Sequence, residues 1–124
     1  MIWEKSAAKE FEEHVERLLK RNYPKTEWQL ETSCPIKSKG IRLKIDFMLT
    51  NRKTGRKIVV DAKSGKVSIS DLRQLEDYKT SARTSQAIIY TGTLISDLAP
   101  GIKERAKKSG IKIIHTSSRS SWPL

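Results

Sequence analysis

Three residues in the middle of this 124-residue chain have the types and spacing for hydrolytic chemistry: Asp46, Asp61 and Lys63. Cleaving a phosphodiester requires that charge on the phosphate be neutralised, a water activated and the leaving oxygen stabilised. Ions of the magnesium type meet these needs. They take oxygen ligands, commonly one or two carboxylates completed by water and substrate phosphate. A lysine beside such an ion can orient the water, assist its deprotonation or offset transition-state charge. Asp61 and Lys63 are two positions apart, so on a strand they project to the same side. The carbonyl of Ala62 between them is a further oxygen donor.

The setting of these residues is basic. Of 25 Lys and Arg against 14 Asp and Glu, ten bases and only two acids, Asp46 and Asp61, fall in residues 37–66. Residues 4–21, by contrast, hold five acids and five bases. Positive charge gathered in one stretch is what a polyanion would attract. Taken singly, each acid is better explained as the surface partner of Arg42, Lys44 or Lys63. Two acids embedded together in the basic stretch, followed at once by Ser64-Gly65, favour a site.

The elements that must position them follow from periodicity. Residues 4–21 read as a helix, with Trp3, Ala7, Phe11, Val15, Leu18 and Leu19 on one stripe. Asn22-Tyr23-Pro24 ends it, because proline disfavours helix in the residue before it. Residues 26–32 form a short strand and residues 34–40 a basic loop. Residues 41–50 alternate, with Ile41, Leu43, Ile45, Phe47 and Leu49 on one face and Asp46 on the other. Residues 51–55 are a turn ending in Gly55, so residues 58–63 pair back as a hairpin. That pairing brings Asp46 towards Asp61. Residues 68–82 form a helix opened by Ser68 and Asp71 at capping-box spacing. A strand at 86–90, a helix at about 100–109 started by Pro100 and closed by Gly110, and a strand at 111–115 complete the chain. The order α-β-β-β-α-β-α-β predicts an α/β domain with a mixed central sheet flanked by helices. Residues 1–115 make one domain, and residues 116–124 a Ser-rich tail.

The run Lys44-Ile45-Asp46-Phe47, with Ile58-Val59-Val60-Asp61-Ala62-Lys63 after it, resembles the PD-(D/E)XK nucleases of the restriction-endonuclease-like fold. The resemblance spans residues 11–90 and includes the helix-first order. It departs in one place: Ile45 stands where the motif has proline. The resemblance implies a nuclease domain using Mg2+, or Mn2+ in its place. Asp46, Asp61 and the Ala62 carbonyl would hold the metal, and Lys63 would serve the nucleophile. It also points to a metal-associated glutamate in the first helix. Glu12 borders the apolar stripe while Glu13 points away, so Glu12 is expected there, with Glu10 as its competitor. Gln74 and Tyr78 resemble the QxxxY helix motif of several branches. They share a helix face, which would let Gln74 hold Lys63 or a phosphate and Tyr78 touch the nucleic-acid backbone. The other expected phosphate contacts are Lys37, Lys39, Arg42, Lys44 and Lys66, with Lys53 and Arg56 behind them.

DNA is the expected substrate, as for restriction, repair or junction-resolving relatives. Small domains of this fold also serve as bacterial competition toxins that cut tRNA or DNA, and a basic module that only binds nucleic acid is the non-enzymatic alternative. A homodimer or a partner protein such as an inhibitor is expected because so small a domain has little surface for recognition. His14 and His115 have no ligand spacing and read as structural. The lone Cys34 excludes an internal disulfide and fits a reducing compartment. No apolar run approaches the roughly 20 residues of a membrane span, and no secretory signal opens the chain. A cytoplasmic protein without membrane attachment is therefore expected.

Overall fold

The computed structural model describes residues 6–38 and 41–117, with side chains given except at positions 36–43. Helix α1 (Ala7–Asn22) leads into strands β1 (Trp28–Ser38), β2 (Ile41–Asn51) and β3 (Lys57–Lys63). Helix α2 (Ile69–Ala82), strand β4 (Gln86–Thr91), a 3-10 turn at Ile95–Asp97, helix α3 (Pro100–Lys108) and strand β5 (Ile111–His115) follow. The predicted order holds. The five strands lie in sequence order in one sheet. β1, β2 and β3 are antiparallel neighbours, while β3, β4 and β5 are parallel, crossed over by α2 and α3. The fold is therefore the expected mixed α/β sheet.

Local chemistry accounts for the element ends. Ser6 caps α1, its hydroxyl accepting the Lys9 amide at 3.1 Å. Ser68 and Asp71 form the reciprocal capping box on α2. The β2–β3 turn is held by the Asn51 side chain, which accepts the amides of Lys53 and Thr54, and by Gly55 at φ +76°.

The sheet separates two apolar layers. On one face Phe11, Val15 and Leu19 of α1 pack on Phe47, Leu49, Ile58, Val60 and Ile88. On the other, Leu72, Leu75 and Tyr78 of α2 and Ile102 and Ala106 of α3 pack on Val59, Ala87, Ile89 and Ile111. Burying both faces is what the continuous apolar runs of β3 and β4 require.

Two sequence expectations change. Residues 34–38, expected as loop, extend β1 to Ser38. β1 is an edge strand, a position where proline is tolerated. The single face expected for the apolar residues of β2 is also wrong. Phe47 and Leu49 lie in the α1 layer, but Ile45 lies in the α2 layer. The partner strand does the same, with Trp28 under α1 and Cys34 under α2. The switch falls at Ser33, whose φ of +50° is in the left-handed region. There the β1–β2 ladder steps from Thr32–Phe47 to Cys34–Ile45. β2 pairs with β3 only from Phe47 to Thr50. Before Phe47 it leaves β3 and crosses the α2 side, where the Tyr78 hydroxyl donates to the Lys44 carbonyl at 2.9 Å. Asp46 stands at the point of departure.

Candidate active site

The departure of β2 opens a notch in the sheet, and the expected carboxylates line it. The β2–β3 ladder stops at Phe47–Val60, so the next position brings Asp46 opposite Asp61. The Ala62 amide donates to Oδ2 of Asp46 at 2.9 Å, a bond to a side chain where the ladder would otherwise use a backbone carbonyl. This fixes the Asp46 carboxylate, which retains lone pairs for other partners. The Asp46 carboxyl lies close enough to Asp61 to disfavour its charged form. Burial, and then the charge of Asp46, push the Asp61 carboxyl up to about 9, with Asp71 adding to the rise. Two carboxyls forced together share a proton unless a cation takes its place.

Lys63 follows on the same face of β3 as Asp61. Its ammonium lies 3.7 Å from Oδ1 of Asp71 on α2. Gln74, expected to hold Lys63 or a phosphate, is exposed on α2 one turn before Tyr78. The expectation that Tyr78 faces nucleic acid fails. The ring is 2% exposed, and its hydroxyl is bound to the Lys44 carbonyl. Burial, then Asp61 and Asp46, raise that hydroxyl to about 12. Tyr78 thus fastens β2 from behind the notch.

Glu12 projects from α1 towards the notch from the other layer. Its carboxyl is raised by burial first and by Asp46 second, while Lys44 opposes the rise. Of the two candidate glutamates, Glu12 is therefore the one coupled to Asp46; Glu10 is exposed and lies by Ser64, Gly92 and Thr116. Among the described residues no three His, Cys, Asp or Glu side chains gather closely enough to hold a metal between them. Glu12 is coupled to the Asp46–Asp61 pair from the α1 side. Lys44 and Lys66 are exposed. Lys39 and the side chains of Lys37 and Arg42 lie outside the described residues.

Sequence reasoning missed the supports of the turn after Lys63. The Gly92 amide donates to the Lys63 carbonyl at 3.1 Å, and a Cβ at Gly92 would lie 2.4 Å from the Ser64 carbonyl oxygen. Thr91 is fully buried, and its hydroxyl donates to the Gly65 carbonyl at 2.8 Å. The Thr-Gly pair at the end of β4 was the available signal. Asp71 was read only as a cap, although it lies i, i+3 from Gln74 and so on the same helix face. His14 and His115 are bonded to Thr116 and to the Thr93 carbonyl, apart from the carboxylates. A cavity of about 580 Å³ between α1 and β1, lined by Tyr23, Trp28 and Arg52, contains no notch residue. No described helix is long and apolar enough to cross a membrane.

The arrangement suits a hard divalent cation. Asp46 and Asp61 supply two carboxylate oxygens at one point, the number such ions commonly take from protein.

Solved structures share the fold. A protein of unknown function, AF1548, superposes with a TM-score of 0.65 at 17% identity, covering 90% of this chain and 58% of the other. EndoMS in complex with double-stranded DNA gives 0.62 at 17% identity, covering 94% and 48%. Protein VC1899 from Vibrio cholerae gives 0.61 at 14% identity, covering 84% and 28%. The chain thus spans less than two thirds of each. No curated protein matches the sequence. The family model described as restriction endonuclease (Mrr_cat) matches residues 4–118, nearly the whole chain and every residue of the notch, so the protein belongs to the restriction endonuclease family.

Proposed function

We propose that the protein is a divalent-metal-dependent endonuclease that hydrolyses DNA phosphodiesters at the Asp46–Asp61 notch. The observation that carries this reading is the placement of Asp46 opposite Asp61 where the β2–β3 ladder ends, with Lys63 on the same face and in the most basic stretch of the chain. Asp46 and Asp61 would hold Mg2+ or Mn2+ with the Ala62 carbonyl alongside. Such an ion, when bound, neutralises phosphate charge and lowers the pKa of a bound water.

The chain's own residues do the rest. The Ala62 amide orients Asp46. Lys63 presents an ammonium to the scissile phosphate, where it stabilises the developing charge and orients the attacking water. Glu12, coupled to Asp46 from the α1 side, acts on water and not as a direct ligand. Lys44 and Lys66, both exposed, meet flanking phosphates. The double-stranded DNA held by the structurally similar EndoMS supports DNA as the substrate.

The test uses plasmid, single-stranded DNA and tRNA, each with Mg2+ or with chelator, and the variants Asp61→Ala and Lys63→Ala. The wild type should cut DNA only with metal, and both variants should lose at least about 100-fold in rate. Equal cutting by wild type and variants would end the reading, and preferential cutting of tRNA would replace DNA as substrate.

A further inference from the structure

We propose that Asp71 is a positioning residue for Lys63, so that the N-terminal cap of α2 also sets the aim of the active-site ammonium. The inference rests on the nuclease reading for its kinetic consequence, but its geometric content stands apart. Asp71 divides its two oxygens between two tasks. Oδ2 accepts the Ser68 amide at 2.8 Å and the Ser68 hydroxyl at 3.0 Å, closing the capping box. Oδ1 faces Lys63 Nζ at 3.7 Å. The cap fixes the rotamer, so the second oxygen is not free to swing.

Lys63 needs such a partner. Its side chain is 47% exposed, against 19% for Asp71. A lysine carries four flexible carbons and a large rotamer entropy. An ammonium left to solvent would spend little time over the notch. The backbone below it is already held: β4 pins the turn through the Gly92 amide to the Lys63 carbonyl and through the Thr91 hydroxyl to the Gly65 carbonyl. Asp71 supplies what those bonds do not, a fixed direction for the side chain. It also adds negative charge facing Asp61, which only a residue inside the notch's electrostatic reach can do. An exposed ion pair of this length contributes little to stability, so its consequence belongs to geometry at the site.

The cap and the aim can be separated. Asp71→Asn keeps an acceptor oxygen for Ser68 but removes the charge facing Lys63. Ser68→Ala removes the cap hydroxyl but leaves Asp71 charged. Two readouts serve: plasmid-cleavage kinetics, and the order parameter of the Lys63 ammonium from nitrogen relaxation in NMR. For Asp71→Asn the order parameter should fall, and kcat should drop about tenfold with KM within about twofold, since a displacement of ~1 Å at a site can cost up to about 100-fold. Asp71→Glu should recover part of the loss. Ser68→Ala should melt at a lower temperature and keep most of the order parameter and kcat, because the backbone amide of residue 68 still holds Asp71 Oδ2. An unchanged order parameter in Asp71→Asn overturns the proposal. So does a kcat that matches wild type, or one that falls equally in Ser68→Ala. If the wild type cuts no nucleic acid, the nuclease reading fails, and the order parameter alone still decides whether Asp71 holds Lys63.

Discussion

Replacing Asp61 with asparagine should abolish cleavage and, without metal, make the protein more stable. In the folded state the Asp61 carboxyl is raised from an ordinary 3.8 to about 9, by burial and by Asp46. The folded protein therefore keeps a proton at Asp61 that the unfolded chain releases above about pH 4. When the native state binds more protons, stability falls as pH rises. For this group stability is complete below 3.8 and is lost progressively as pH climbs towards 9. At pH 7 the climb covers about three units, and each unit corresponds to about 1.4 kcal/mol, which sets a ceiling of about 4 kcal/mol. Water reaching the notch reduces this, and a gain of about 2 kcal/mol for Asp61→Asn is expected at pH 7. Asparagine is isosteric and brings no charge to desolvate.

The assay is urea unfolding of both proteins in chelator at pH 4, 5.5, 7 and 8.5. The difference between them should be near zero at pH 4 and widen in favour of the variant. Adding Mg2+ should reverse the order at pH 8, because an ion bound only by the native wild type stabilises it by mass action. A difference that stays flat with pH, or a variant less stable throughout, would refute the account of Asp61 as an uncompensated buried acid.

The remaining predictions concern the residues around the pair. Tyr78→Phe removes the hydroxyl bonded to the Lys44 carbonyl; it should cost about 1 kcal/mol in urea unfolding and lower kcat more than it changes KM, because Asp46 is only two residues further on. Gly92→Ala places a methyl 2.4 Å from the Ser64 carbonyl oxygen; a loss of about 1–3 kcal/mol should appear with reduced cleavage, and full activity would show that the turn after Lys63 tolerates displacement. Glu12→Gln should slow cleavage about tenfold while Mg2+ affinity, read by calorimetry, changes less than in Asp46→Asn. Equal loss of affinity in the two variants would make Glu12 a direct ligand.

How much of this was legible in the sequence depends on what each feature is made of. Strands β3, β4 and β5 and all three helices were readable because each is a local pattern: an apolar run, a 3.6-residue stripe or a cap. Asp46 and Asp61 were readable as a pair because a short turn with Gly55 fixes the register between their strands. Glu12 was found by a weaker route, its place at the border of a stripe. Tyr78 was misread for a specific reason. Its spacing from Gln74 correctly puts both on one face, but spacing does not tell whether that face meets solvent or another strand. Here β2 covers it.

That covering strand is also what the alternation of residues 41–50 concealed. Alternating apolar and polar residues predict one buried face along the whole strand. The strand instead buries Phe47 and Leu49 in one layer and Ile45 in the other. A strand can serve two layers only by turning over between them, and the turn must leave one residue out of both cores. That residue is Asp46. Had β2 continued beside β3, a β2 carbonyl could have taken the Ala62 amide, which now belongs to the Asp46 carboxylate. The positive φ of Ser33 and the Tyr78 tether on Lys44 maintain the turn from either side. The notch therefore comes from a break in the sheet, which leaves the Asp46 carboxylate to take the Ala62 amide. The chemistry was written in residue types, but the place where those residues meet was set by contacts between β1, β2 and α2 that no local pattern encodes.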